Sequence, residues 1–252
     1  MPPAVDTAST SESARPEAGG GAAIAEILVA DDPVAWTAAG FTVVDGVVRL
    51  GPTAIRLTGE PTVPADGNPR RGRGIRAWTL SGLTRPDGDA LDAPIDGLPT
   101  ATVPAAAASG PVEADPANPA HPNGSHLLDH VVVTTPGLDR TTAAFAPLGL
   151  GVRRIRETDT YGAPMFQAFL RLGPTLVEVI SGDRTTDLTA ADARARWFGL
   201  AIQVDDLDAT ATLLGEHLGR IKAAVQDGQR IATLRHEALG LSVAVAFMDG
   251  RG

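Results

Sequence analysis

Short runs of alternating apolar and polar residues recur along the chain, and some recur as copies. RLGPTAIRL at 49–57 reappears as RLGPTLVEV at 171–179, five identities followed by alternation, so each copy predicts a turn feeding a half-buried strand. HVVVTTPGLDRT at 130–141 is echoed by GLAIQVDDLDAT at 199–210, with Leu138 and Asp139 matching Leu207 and Asp208. Each echo reads as a strand, a turn, then a helix start at which a Thr or Asp caps the first turn. Apolar positions then repeat at helical spacing: Leu138, Ala143, Ala144, Phe145 and Leu148 in one, Leu207, Ala211, Leu214 and Leu218 in the other. Gly149 and Gly219 are placed at the helix ends.

More strand is predicted after each helix: Val152 to Glu157, Met165 to Leu172 and Leu176 to Ile180, then Ile231 to Arg235 and Leu241 to Phe247. The unit is therefore β, α, then further β. The N-terminal half repeats this plan in reduced form: AEILVADDPVAWTAAGF reads as strand, turn and short helix, and FTVVDGVVRL as a hairpin around Asp45-Gly46. GIRAWTLSGL at 74–83 opens a weaker second unit, since Pro86, Pro94 and Pro99 oppose a following helix.

Two stretches rich in Pro, Gly, Ser and Ala divide the chain into a disordered tail at 1–21, a degenerate N-terminal region at 22–103, a linker at 104–126 and a C-terminal domain at 127–249. The 252 residues, 43% hydrophobic and 20% charged, suffice for one substantial core or two modest ones. A net charge of −9 argues against a nucleic-acid partner. Without cysteine there are no disulfides, thiolate metal sites or cysteine nucleophiles, and a reducing compartment fits. The N-terminal residues lack the basic cluster and apolar stretch of an export signal. No apolar run reaches the roughly 18–20 residues that span a bilayer. A cytoplasmic protein without a membrane partner is expected. Phosphate-cradling GxxxxGK[ST], GxSxG and HExxH patterns are absent.

The stretch LDHVVVTTPGLDRTTAAFAPLG, the strands that end in LVEVISG, and WFGLAIQVDDLDATATLLGEHLG resemble the vicinal oxygen chelate superfamily, which includes glyoxalase I, bleomycin- and fosfomycin-resistance proteins, extradiol dioxygenases and methylmalonyl-CoA epimerase. The resemblance covers about 127–249, and the N-terminal half joins it through the repeat. It implies an α+β fold in which repeated βαβββ modules form concave mixed and antiparallel sheets in a tandem glyoxalase-like arrangement. A small-molecule ligand is then the expected partner, and a homodimer is compatible with the reading.

In metal-dependent members the resemblance implies ligands at the start of each module's first strand and in its last strand. His130 and Glu178 occupy such positions, whereas the repeat register puts Gly199 and Val245 in the partner module and about Ala25 and Arg56 in the N-terminal half. Two donors are too few for a tight site, and His126 and His236 are the candidates for a third. No cofactor is expected, with a divalent metal on His130 and Glu178 as the alternative.

Glu178 interrupts the apolar strand TLVEVI, where an unpartnered inward carboxylate is costly. Alternation puts it with Leu176 on the face opposite Val177 and Val179, and puts His130, Val132 and Thr134 together. Glu178 and His130 are the candidate catalytic pair, unless His130 only bonds a neighbour such as Asp129 and Glu178 faces water. Arg156, Tyr161, Gln167, Gln203 and Thr134 are the candidate ligand-binding residues, while Trp197 and Phe198 read as core. Two functions compete: a glyoxalase-like lyase or isomerase acting next to a carbonyl, and a non-catalytic binding or sequestering protein of the bleomycin-resistance type.

Overall fold

In the computed structural model, residues 21–59, 74–83, 93–105, 119–159, 163–185 and 194–250 are described. The first half comprises β1 (Ala23–Val29), α1 (Pro33–Ala38), β2 (Val47–Leu50), β3 (Thr53–Leu57), β4 (Ile75–Ser81) and β5 (Thr100–Val103). The second comprises β6 (Ser125–Thr134), α2 (Leu138–Phe145), β7 (Val152–Thr158), β8 (Met165–Leu172), β9 (Thr175–Ser181), β10 (Arg196–Val204), α3 (Leu207–Leu214), β11 (Lys222–Ala223), β12 (Gln229–Thr233) and β13 (Ala244–Gly250).

These strands form a five-stranded sheet of order β2-β3-β1-β4-β5 and an eight-stranded sheet of order β11-β12-β13-β10-β6-β9-β8-β7. The larger sheet is two βαβββ modules. In each, the first strand runs parallel to the last, β6 with β9 and β10 with β13, and the two first strands meet antiparallel at the centre. The smaller sheet keeps the same centre with fewer strands: β1 is parallel to β3, β4 to β5, and β1 antiparallel to β4. The α+β arrangement of repeated βαβββ modules is thus present in tandem.

The RLGPT repeat has a physical reading in these elements. Leu50 and Leu172 are fully buried, Gly51 and Gly173 turn the hairpin at φ 58 and 62, and the Thr hydroxyls bond to the first strand of the module. Thr53 donates to the carbonyl of Ile24 at 2.9 Å and Thr175 to that of Leu128 at 3.0 Å. The two copies therefore do one job twice, tying the last strand of a module to its first. The Asp45-Gly46 turn also forms, with both residues at positive φ and Val44 and Val47 exchanging backbone bonds at 2.9 and 3.0 Å.

Several element ends differ from the sequence reading. Asp206 caps α3 by accepting from the amides of Asp208 and Ala209, but α2 starts at Gly137 and its first amides go to the carbonyls of Asp183 and Arg184 instead. Helix α3 stops at Gly215 (φ 54), one turn before Gly219, and a 3-10 turn follows. The last strand begins at Ala244 and not at Leu241, because residues 236–239 make a 3-10 turn and Ser242 is bonded to Asp31. Upstream of β6, His121 and Asn123, read as linker, are buried.

One hydrophobic core joins both sheets and all three helices. Alternation decides who enters it: Val131 and Val133, Val177 and Val179, Leu200 and Ile202, Val245 and Phe247 are buried on one face of the eight-stranded sheet. Each such side chain contributes roughly 1.5–3 kcal/mol of burial. Aromatic contacts close the joint between the halves: Phe41 with Phe247 at 5.9 Å, and Trp78 with Phe145 at 6.2 Å and Trp197 at 4.8 Å. Phe198, by contrast, is 60% exposed and is not core. No helix of the described residues is long and apolar enough to cross a membrane.

Candidate functional site

The face of the eight-stranded sheet opposite the core carries the polar candidates, in rows set by strand register. One row runs Phe169, Glu178, Val132, Gly199, Ala244 across β8, β9, β6, β10 and β13. The next runs Arg171, Leu176, His130, Ala201, Ala246, and a third runs Arg156, Gln167, Ile180, Thr134, Arg196.

Glu178 and His130 lie in adjacent rows on neighbouring strands, and the imidazole Nε2 is 3.4 Å from Glu178 Oε2. The other imidazole nitrogen, Nδ1, is 2.7 Å from Asp129 Oδ2. Asp129 reaches this face through an irregularity in β6. Leu128 pairs with Ile202 and His130 with Ala201, leaving Asp129 unpaired between them, so that two successive side chains meet on one side of the sheet. The same shift occurs at Ala25 in β1, between Ile24 and Glu26.

Amides hold the outer ends of the cluster. Gln203 donates to Asp129 Oδ1 at 2.6 Å, and Gln167 donates to Glu178 Oε1 at 2.7 Å. A chain Gln203, Asp129, His130, Glu178, Gln167 thus crosses four adjacent strands. Its three ionisable side chains are only 10–15% exposed. The Gln167 Oε1 is buried and has no hydrogen-bond partner among the described residues, which leaves an acceptor at the edge of the cluster.

The two carboxylates are pushed apart. Burial raises the Glu178 carboxyl above its usual range, and this outweighs the charge of His130, the Gln167 bond and the charge of Arg156. At Asp129 burial also acts upward, but hydrogen bonds from His130 and Gln203 and the charges of His130 and Arg171 prevail, so that group is held low. Asp129, hydrogen-bonded to the imidazole, is thus disposed to stay ionised, and Glu178 is the carboxyl that burial disposes to hold its proton.

Of the remaining candidates, Arg156 lies beside Gln167 and its charge is felt at Glu178. Thr134 stands at the far end of β6 from the cluster, with its hydroxyl 3.5 Å from the carbonyl of Arg196. Tyr161 lies outside the described residues. Asp129 and Arg171 were not singled out from the sequence as members of the site. Strict alternation assigns Asp129 to the core face, although the sequence had offered it as a hydrogen-bonding neighbour of His130, and that bond is present.

The donor set does not fit a metal. Exchange of the two modules maps the pair His130 and Ala201 onto Gly199 and Val132, so Gly199 is the counterpart of His130 as expected. The counterpart of Glu178 is Ala246, however, and not Val245, which is buried on the opposite face. In the N-terminal sheet the register places Glu26, not Ala25, opposite His130's role, with Arg56 in that of Glu178. Glu26 and Arg56 form an ion pair at 2.9 Å. His126 is turned to Asp205 at 3.1 Å and His236 lies in a 3-10 turn. Among the described residues no three His, Asp or Glu side chains converge to hold a metal ion.

The sequence matches no protein-family model and no curated protein. Solved structures do match its fold. A mutant of 4-hydroxymandelate synthase from Streptomyces coelicolor superposes with a TM-score of 0.58 over 92% of this chain and 93% of its own, at 14% identity. A xylose isomerase-like TIM barrel/4-hydroxyphenylpyruvate dioxygenase fusion protein gives 0.54 over 91% of this chain and 49% of its own, at 12% identity. The chain therefore has the vicinal oxygen chelate fold.

Proposed function

We propose that the face of the eight-stranded sheet opposite the core is a proton-transfer site acting on a carbon next to a carbonyl, a lyase or isomerase chemistry that proceeds without a metal. The observation that carries this reading is the placement of His130 between two buried carboxylates of opposite tendency, Asp129 at 2.7 Å and Glu178 at 3.4 Å.

In this reading ionised Glu178 takes the proton from the carbon, the C–H pair moves into a C=C bond, and the carbonyl π pair moves to oxygen. A carboxylate raised by burial is a stronger base than one in water, which suits this step. His130 stabilises the enolate oxygen by hydrogen bonding from Nε2. Asp129 fixes the ring through Nδ1, and Gln203 in turn holds Asp129. Returning the proton from Glu178 to a different position completes an isomerisation, while loss of a leaving group from the enolate completes a lyase reaction.

Gly199, Ala201, Ala244 and Ala246 favour a second reading. They make the partner module's share of this face small and apolar, a wall that can hold a ligand body without acting on it. A binding protein would use the same face without turnover. Both readings are tested by incubating the protein in D2O with a panel of small 2-oxo acids and hydroxyketones and following the C–H signals by NMR. Protein-dependent exchange that Glu178→Gln abolishes supports proton transfer. Ligand binding without exchange supports the sequestering alternative.

A further inference from the structure

The groups on the face of the eight-stranded sheet opposite the core follow one another in a fixed order along the strands. His130 shares a row with Arg171 and Leu176, Glu178 stands in the next row, and Arg156 and Gln167 stand in the row beyond it. The Glu178 carboxyl is strung between the outer two rows: Oε2 is 3.4 Å from His130 Nε2, and Oε1 accepts from Gln167 Nε2 at 2.7 Å. The row of His130 and the row of Arg156 are four residues apart, from His130 to Thr134 on β6, which is roughly 13 Å of strand.

Arg156 is the cation at the far end of this line. It is half-buried, and among the described residues it makes no hydrogen bond or ion pair, while its charge is felt at Glu178. The guanidinium is therefore close to the cluster with its N–H groups uncommitted.

Charge is balanced differently at the two ends. Arg171 acts on Asp129, an acid disposed to stay ionised, so its charge is met. Glu178 is disposed to hold its proton, so the charge of Arg156 is not. A guanidinium beside a carboxyl that tends to be neutral is a place for an anion, in a chain whose net charge of −9 repels anions elsewhere.

We propose that Arg156 holds the carboxylate of the substrate, and that this substrate is an oxo acid whose carboxylate lies beyond the reacting carbon, as in 4-oxo acids, and not on the carbonyl carbon itself, as in 2-oxo acids. The assignment rests on the proton-transfer reading, which puts the carbonyl oxygen at His130 and the reacting carbon at Glu178. With those two fixed, a carboxylate joined to the carbonyl stays on the His130 side, whereas one carried past the reacting carbon extends towards Arg156. The planar guanidinium matches a carboxylate in two parallel bonds. An anion at Arg156 also offsets the positive charge that Glu178 feels, which makes Glu178 a stronger base when substrate is bound.

The isomers 4-oxopentanoate and 2-oxopentanoate carry equal charge, and 2-pentanone is the uncharged counterpart. Binding of each is measured by calorimetry and α-carbon exchange in D2O by NMR, on wild type, Arg156→Gln and Arg171→Gln, with folding checked by thermal melts. Wild type should bind 4-oxopentanoate roughly tenfold or more tighter than either other compound, as one charge-assisted bond allows. Arg156→Gln should erase that preference, Arg171→Gln should keep it, and exchange should follow the same order. The proposal is overturned if 4-oxopentanoate shows no saturable binding, if 2-oxopentanoate or 2-pentanone binds as well, or if the preference survives in Arg156→Gln. Binding with the expected preference but no protein-dependent exchange of any of the three compounds would sink the proton-transfer reading and still support Arg156 as the partner of the carboxylate.

Discussion

Gly199 stands so close to Ala244 on the neighbouring strand that a Cβ built on it would lie 2.5 Å from that residue's carbonyl oxygen. Any side chain there requires the β10 and β13 backbones to part. Gly199→Ala is therefore expected to lower stability by roughly 1–3 kcal/mol, the usual penalty of overpacking, in a denaturant titration. A loss well below that would mean the strands can shift, and a donor at this position would become feasible.

The same crowding disfavours a metal-ligating side chain at Gly199, the position that corresponds to His130. Purified protein is expected to carry much less than one equivalent of Zn, Ni, Fe or Mn by elemental analysis. A full equivalent that disappears in His130→Ala would contradict this.

Glu178→Gln should raise stability at neutral pH. The wild-type carboxyl has a folded-state pKa above its unfolded value, so its contribution is most favourable below about 4.5 and is lost as pH rises through the folded pKa. Removing the charge removes that loss. A gain of about 2 °C in melting temperature is expected, the shift that roughly 1 kcal/mol makes in a chain of this size. At pH 4 the gain should shrink.

His121 makes the opposite slope. Its Nδ1 accepts from the Thr42 amide at 2.9 Å and its Nε2 faces the Arg49 carbonyl at 2.7 Å, so the ring is held neutral, and burial lowers its pKa despite the Arg49 bond. The unfolded chain then binds more protons than the folded one just below pH 6.5. Stability is complete above that value and falls as pH drops through it towards the folded pKa. Melting temperatures measured across this window should show the slope in wild type and lose it in His121→Gln.

Much of this architecture was legible in the sequence because the repeats encode shared mechanics. RLGPT specifies a buried Leu, a Gly at positive φ and a Thr that reaches the first strand, and so marks β3 and β9 as counterparts. Alternation also put Glu178 and His130 on the face away from Val177 and Val131. What escaped was whatever depends on one-residue offsets. Counting from Gly240 gave Val245 as the counterpart of Glu178, whereas the 3-10 turn and the Asp31 to Ser242 bonds delay β13 and put Ala246 there. Asp129 was legible as a bonding neighbour of His130 but its place on the site face was not: a register shift against the partner strand breaks the period of two that sequence reasoning assumes.

The pH profile of deuterium exchange at a carbonyl substrate's α-carbon tests the central claim most directly. Exchange catalysed by wild-type protein should rise with pH through an apparent pKa above 4.5, the ordinary value for Glu178, and should fall by ~10² or more in Glu178→Gln, as expected for loss of a general base. Asp129→Asn should also slow it while leaving Glu178 in place. Exchange at the wild-type rate in Glu178→Gln, with the same profile, would show that another group moves the proton and would contradict the account.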